Sequence, residues 1–407
     1  MRLVADLHVH SRFSRATSPD CDLPLLARWA TRKGIDVLGT GDFTHPKWQA
    51  TLDERLEPQG NGLLRYAGVW FLPTAEIAAI WRQNGRTHKV HLLVLAPGLE
   101  AVARINRSLG RIGNLTSDGR PTLGIALSRL LETIWDAAPS AEVIPAHAWT
   151  PWFSVFGSRS GFDSLEECFG KHAGRIFAIE TGLSSDPAMN WRLSALDRIA
   201  LVSSSDAHSP SKLGREASLF DLSEPSYEGI VAALKTRDPG RFLGTIEFFP
   251  EEGKYHYDGH RACGVALAPC EARAAKNLCP VCGRPLTLGV LHRVEDLADR
   301  PDGGGPATRI PYRRVVPLSE IIAQALGIGQ ETKGVAHEYD RLLAYYGSEF
   351  RILLDLSDEE LAAHTSLPVL EGIRKVRAGE LAIEPGYDGV FGTITIPIST
   401  RASQLLL

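Results

Sequence analysis

Asp6-Leu7-His8-Val9-His10, near the start of the chain, decides the fold once it is set beside Ser205-Asp206-Ala207-His208 far downstream. His8 and His10 stand two residues apart at the end of the apolar run 2–7, and on a strand that spacing sends both imidazoles out of one face. Between the two motifs lie Glu76, His91 and His147, each alone and each at or near the end of another apolar run. In a parallel β/α barrel the reactive groups come from the carboxyl ends of many strands, so ligands arrive singly along the sequence. Strand-like runs fall at 2–7, 35–39, 68–77, 90–96, 142–147, 176–180 and 199–204, most of them divided by stretches long enough for a helix. The pattern predicts an α/β fold, with residues 1–248 forming a barrel that carries a metal centre at its mouth.

Paired histidines with the carboxylates Glu76 and Asp206 make a mixed nitrogen and oxygen shell suited to Zn²⁺, Mn²⁺ or Fe²⁺; Mg²⁺ prefers all-oxygen shells and fits less well. A lone histidine is ordinarily a core or surface residue. Here six of the thirteen, His8, His10, His45, His91, His147 and His208, fall at strand ends or in the loops after them. Their acidic company, Asp6, Asp42, Glu76 and Asp206, would be costly to bury without a cation. Glu76, Asp206 and His208 are the candidate catalytic residues. Glu180 ends a further strand, either as a partner of the ligands or as a structural carboxylate.

At 407 residues the chain should hold two or three domains. No apolar run approaches the length of a membrane span and no signal-peptide pattern is present, so a cytoplasmic protein without a membrane role is expected. A net charge of −4 excludes a uniformly basic surface but leaves room for a local basic groove. Residues 249–312 change character, being rich in Gly, Pro, Cys, His and Arg with little helical periodicity. Cys279-x2-Cys282 has the form of a zinc knuckle, and His260-x2-Cys263 supplies a second pair at zinc-ribbon spacing. Cys270, His256 and His292 are rivals for the fourth place. A redox Cys-x-x-Cys would normally open a helix, whereas Pro280 and Gly283 favour a turn. Residues 313–407 read as a helical domain, with Ser357 and Glu360 forming a capping box and Ser366-Leu367-Pro368 a second helix start.

Trp149, Trp152 and Phe153 follow His147 directly, ahead of the Gly157-Ser158 turn. Aromatic side chains there are candidates for stacking on a planar group held at the site. Arg12, Arg15 and Lys47, in the first two loops of the same barrel face, are candidate phosphate contacts. Ser158, Ser184 and Ser185, in the loops beyond barrel strands, are candidate hydrogen-bond donors to a bound ligand.

The motifs Asp6-Leu7-His8-Val9-His10-Ser11, Glu76, His91, His147 and Ser205-Asp206-Ala207-His208 resemble those of the PHP (polymerase and histidinol phosphatase) superfamily. That resemblance implies a distorted (β/α)7 barrel with up to three divalent ions. His8, His10, Glu76 and Asp206 would hold one; Glu76, His91 and His147 a second; His208 and a residue after the second strand the third. Many members read Thr-Asp-His at that last place, where this chain has Gly41-Asp42-Phe43-Thr44-His45, leaving Asp42 or His45 to serve. Longer blocks are similar to the endonuclease Q family over nearly the whole chain. They include 146–153, 161–170, Glu180-Thr181-Gly182-Leu183-Ser184-Ser185-Asp186-Pro187, Cys279-Pro280-Val281-Cys282-Gly283 and Glu384-Pro385-Gly386-Tyr387-Asp388-Gly389. This second resemblance implies a repair nuclease acting on double-stranded DNA. It would cut 5′ to deaminated bases (uracil, hypoxanthine, xanthine) and abasic sites, with one structural Zn²⁺ and with repair or replication proteins as partners. The competing readings are a small-molecule phosphoesterase of the same fold and a non-catalytic scaffold in a repair complex. The first has no use for about 160 residues beyond the barrel, and the second calls for degraded ligands.

Overall fold

Pro73 divides the strand expected at 68–77. In the computed structural model, which describes residues 1–399, Val69–Leu72 and Thr74–Gln83 are separate strands in separate sheets. Proline brings no N–H to a ladder, and the chain changes sheets there. Arg2–Asp6 pairs in parallel with Val37–Gly39, and that strand with Val69–Leu72. Thr74–Gln83 then doubles back on Arg86–Leu95 as a ten-residue antiparallel hairpin, and Arg86–Leu95 pairs antiparallel with Glu142–Pro145. Ala178–Glu180 and Ala200–Val202 are parallel. A parallel bridge between Val9 and Ala207 closes the ring, bringing the two motifs at its ends side by side.

The hairpin corrects the expectation that every ligand leaves a strand's carboxyl end. Glu76 is near the start of its strand and His91 lies within the next, opposite Ala78. Antiparallel pairing reverses direction, so both still face the mouth formed by Val9 and Ala207.

The helices that cover the barrel follow local chemistry. Leu23–Lys33 starts where the Asp22 carboxylate accepts from Leu25 N at 3.0 Å, and it buries Leu23, Leu26, Ala27 and Ala30. It ends at Gly34, whose positive φ of 86° a glycine adopts freely. A Cβ there would also lie 2.6 Å from Ser348 Oγ, so the same glycine lets the C-terminal region approach.

Beyond the barrel, the chain leaves at Phe242–Glu247 and returns to the same sheet at Tyr312–Arg314, which pairs in parallel with it. Helix Val290–Leu297 buries Val290 and Val294 in the barrel core, and Arg293 donates to the carbonyls of Phe156 and Phe162 at 3.0 Å. Around the four expected zinc ligands the buried core is small: Ala272, Cys279 and Leu286. Helices Leu318–Leu326, Lys333–Tyr346 and Leu367–Ala378 share a separate core with Phe249 and Val316. The Ser357–Glu360 capping box is formed, with bonds of 3.2 and 2.7 Å. The C-terminal part is not wholly helical: Ala382–Glu384 and Thr393–Thr395 close it as a two-stranded antiparallel sheet. Residues 400–407 of the expected C-terminal domain lie outside the described residues.

Candidate metal centre

Three overlapping groups of ligand-type side chains meet at the barrel mouth: His8, His10 and Glu76; Glu76, His91 and His147; and His10, Asp206 and His208. His10 Nε2 is 3.0 Å from Asp206 Oδ1 and 3.4 Å from Glu76 Oε2. Glu76 turns its other oxygen to His147 Nε2 at 3.0 Å and to His91 Nδ1. His208 Nδ1 lies 3.6 Å from Asp206 Oδ1. One atom carries the test of fit. His8 Nε2 is fully buried and has no hydrogen-bond partner, with Glu76 Oε2 and Asp206 Oδ1 each 3.7 Å away. Zinc-type bonds of about 2.0–2.2 Å place neighbouring ligands on the order of 3–4 Å apart, which suits these separations. The donor set fits a divalent ion, and an orphaned buried nitrogen is otherwise unfavourable.

The His8 and His10 rings are aimed from behind. Glu180 accepts from His8 Nδ1 at 2.9 Å and from His147 N at 2.9 Å. Asp42 Oδ1 meets His10 Nδ1 at 3.0 Å, while its other oxygen accepts from Ser11 N, Ser11 Oγ and Ser14 Oγ at 2.6, 2.7 and 2.9 Å. Carboxylates bound to Nδ1 leave the Nε2 lone pair for an ion and fix the ring's orientation. Burial opposes charge on His8 and His10, yet Glu180 and Asp206 hold the first, and Asp42 the second, well above the ordinary imidazole range. Burial likewise opposes ionised Glu76, but His91, His10 and His147 hold it well below the usual carboxylate range. The cluster demands positive charge at its centre.

The backbone is bent to bring these groups together. Asp42, His147 and Asp206 have positive φ of 45°, 30° and 47°. Such conformations cost about 1–3 kcal/mol each for residues other than glycine. Asp6 ties down the last of them, accepting from Ser205 N and Gly214 N at 2.9 Å each. Burial pushes the Asp6 carboxyl up to about 6 against those bonds. Arg215 holds the Ser205 and Asp206 carbonyls at 2.8 and 3.2 Å.

Several expected site residues stand elsewhere. Neither Asp42 nor His45 joins the groups at the mouth: the Asp42 oxygens are taken by His10, Ser11 and Ser14, and His45 stacks on Phe13 at 4.4 Å with Nε2 on Thr116 O. Trp149 is 1% exposed, bonds Asn190 Oδ1 at 2.7 Å and packs on Phe156, so it cannot reach a base. Ser185 is also core, donating to Thr181 O and accepting from Asn190. Trp152 is 40% exposed, Phe153 sits with its ring 4.6 Å from His91, and Ser158 and Ser184 are half-buried. Arg12 pairs with Asp22 at 2.7 Å; Arg15 is exposed, 3.6 Å from Asp118, and Lys47 is exposed on the first turn of Pro46–Arg55.

Arg120 belongs with the cluster and was not anticipated. Its Nη1 donates to Glu76 Oε2 at 3.0 Å, and its side chain is 25% exposed. It arrives from a loop without strand or ligand pattern. The single clue is Gly119, where a Cβ would lie 2.5 Å from Asp42 Oδ2 and Ser14 Oγ.

In the 249–312 segment, His260, Cys263, Cys279 and Cys282 come together as a fourth group, with His260 Nδ1 3.4 Å from Cys282 Sγ. The rivals stand apart: Cys270 is exposed, His292 is bound to Asp258 Oδ2 at 2.5 Å, and His256 is buried outside the group. Burial opposes a thiolate at Cys279, but backbone N–H groups of Cys282 and Val281 bring it down to about 6.

A closed α/β ring with paired histidines on one strand end and Asp206 and His208 on the last defines a PHP-class metal centre. A family profile described as PHP-associated matches residues 191–239, and one described as the MJ0043 C-terminal domain matches 317–380. The crystal structure of the lesion-specific endonuclease PfuEndoQ from Pyrococcus furiosus is 34% identical, with TM-score 0.87, over 98% of this chain and 96% of that one. A structure of endonuclease Q with a 27-mer duplex carrying an abasic lesion at the active site is likewise 34% identical, with TM-score 0.86, over 98% and 97%. The chain belongs to the endonuclease Q family of metal-dependent endonucleases. The uncharacterised protein YqxK of Bacillus subtilis is 27% identical over 97% of this chain and 99% of its own length. The uncharacterised protein MJ0043 of Methanocaldococcus jannaschii is 32% identical over 257 residues; the match takes in 61% of this chain but only 31% of that protein. Among the described residues no helix is long and apolar enough to cross a membrane.

Proposed function

We propose that this chain is a DNA repair endonuclease that hydrolyses the phosphodiester 5′ to deaminated bases, uracil, hypoxanthine and xanthine, and to abasic sites. The observation that carries the reading is the full-length likeness to an endonuclease Q structure holding an abasic duplex at its active site, joined to three overlapping groups of ligand-type side chains here. Zn²⁺, Mn²⁺ or Fe²⁺ would be held by His8, His10, Glu76 and Asp206 and by Glu76, His91 and His147, with His208 at the open edge; His260, Cys263, Cys279 and Cys282 would hold a structural Zn²⁺. When bound, the barrel ions supply Lewis-acid polarisation of the phosphodiester and a water acidic enough to ionise near neutral pH.

The chain's own residues arrange the rest. Glu180 and Asp42 keep the His8 and His10 rings pointed at the reacting centre. Arg120, a quarter exposed and bonded to Glu76, has further N–H groups that can donate to a phosphate's non-bridging oxygens. His208, 31% exposed, is the most open of the cluster histidines. Ser158, Ser184 and nearby backbone N–H groups can donate to a base carbonyl, which uracil, hypoxanthine and xanthine present where cytosine, adenine and guanine carry an amine.

Metal-loaded protein incubated with end-labelled duplexes, each with one uracil, hypoxanthine or abasic site, tests the reading. Nicks immediately 5′ to the lesion, absent from the matched undamaged duplex, are expected. Equal cutting of both, or release of phosphate from histidinol phosphate without nicking, would overturn it.

A further inference from the structure

The stretch Glu384-Pro385-Gly386-Tyr387-Asp388-Gly389-Val390-Phe391-Gly392 has no part in either metal group. It joins the strands Ala382–Glu384 and Thr393–Thr395, and the segment leading to the zinc knuckle fastens it from several sides. Gly386 N donates to Glu251 O at 2.8 Å, Tyr257 N to Gly386 O at 2.9 Å, Gly389 N to Lys254 O at 2.9 Å and Gly392 N to Glu252 O at 3.0 Å. Arg261 N adds a bond of 2.8 Å to Asp388 Oδ2. The approach is close enough to require glycine: a Cβ on Gly386 would lie 2.4 Å from Gly253 O, and one on Gly392 2.2 Å from Glu251 O.

A loop tied down this way is rigid, yet it shows its largest apolar side chains to water. Phe391 is 67% exposed and Val390 39%. Lys254 Nζ stands 4.4 Å from the Phe391 ring centroid. The neighbouring Tyr255 meets Trp152 edge-on at 5.5 Å, and next to Trp152 the Phe153 ring lies 4.6 Å from His91. Through the sequence neighbours Trp152–Phe153 and Lys254–Tyr255, aromatic side chains and one cation therefore mark out a path from the metal centre to Phe391. Aromatic faces stack on bases of any sequence, and lysine suits a phosphate. The path is continuous with the site at which a damaged strand would be cut.

We propose that Phe391, with Val390 beside it, is a wedge that enters duplex DNA at the lesion and fills the gap left when the nucleotide is withdrawn toward the metal centre. Trp152 and Tyr255 line the way, and Lys254 meets the adjacent phosphate. This rests on the nuclease reading above. A single strand has no pairing partner to fill in for, so the wedge matters only in duplex.

The test uses the full chain, parent and Phe391→Ala, on a uracil-containing duplex and on the same strand alone. Losing one aromatic–base stack should reduce duplex nicking roughly 5- to 150-fold. Single-strand nicking, metal content and the thermal transition should not move, and Phe391→Trp should restore the duplex rate. A second readout is 2-aminopurine beside the lesion: its fluorescence should rise on binding the parent in Ca²⁺ and stay low with Phe391→Ala. Undiminished duplex nicking, or equal loss on duplex and single strand, would overturn the wedge. If the parent nicks neither substrate, the nuclease reading fails, and the fluorescence arm still decides: unstacking retained by Phe391→Ala sinks the wedge.

Discussion

The barrel cluster keeps His8, His10 and Glu76 out of solvent, and Glu180, Asp42 and Ser154 hold its rings from behind. The knuckle of His260, Cys263, Cys279 and Cys282 leaves Cys282 exposed and rests on three buried residues, one of them a ligand. In the barrel the scaffold positions the ligands, so a bound ion adds chemistry to a site already formed. Around the knuckle itself the buried core is only Ala272, Cys279 and Leu286, so a bound ion adds structure there. Removing metal should silence the first and loosen the second.

The sharpest break would come from Glu76→Gln. Glu76 is shared by two groups, so nicking should fall below detection and barrel metal should drop, while the thermal transition moves little. Metal analysis beside a nicking assay checks this, and full activity would remove Glu76 from the ligand set. Next in size is Cys279→Ser or Cys282→Ser. Zinc content should fall by about one ion, and limited proteolysis should cut within 249–312 while barrel metal remains. Cys270→Ser, outside the group, should leave zinc unchanged; a loss equal to that of Cys279→Ser would move the fourth ligand to Cys270. Glu180→Gln tests whether support from behind is what distinguishes the barrel site. It should lower activity about 10- to 100-fold with the fold intact, and an unchanged rate would mean that His8 needs no such aim.

The smallest effect concerns a pair of carboxylates near the centre. Glu216 is held well above the ordinary range by burial and then by Glu247, and Glu247 by burial and then by Asp186. With raised folded-state values, the native state binds more protons than the unfolded chain, so stability should fall as pH rises above the ordinary carboxylate range. Glu247→Gln should flatten that decline and leave the protein slightly more stable at alkaline pH. Thermal scans across pH would show it, and a steeper decline would reverse the sign.

His8 and His10 were legible because a two-residue step on a strand has only one geometric meaning, and Asp206 and His208 because they end the last strand of the same ring. Glu76 and His91 were found for a reason the hairpin revises: antiparallel pairing, set by the break at Pro73, puts them diagonally across the ladder, Glu76 opposite Leu93 and His91 opposite Ala78. Arg120 was invisible, since a loop arginine gains its role only from the packing of Gly119 on Asp42. Trp149 and Trp152 look alike in sequence. Asn190, over forty positions away, is what draws the first into the core.

The positive φ values at Asp42, His147 and Asp206 also bear on laboratory evolution of this enzyme. Glycine would remove the torsional penalty at each of the three, though at Asp42 it would also leave the Ser11 and Ser14 donors unpaired. Every such change would delete a side chain proposed to bind or aim an ion. Thermostability campaigns on this scaffold should hold those codons fixed, or select for turnover in the same round.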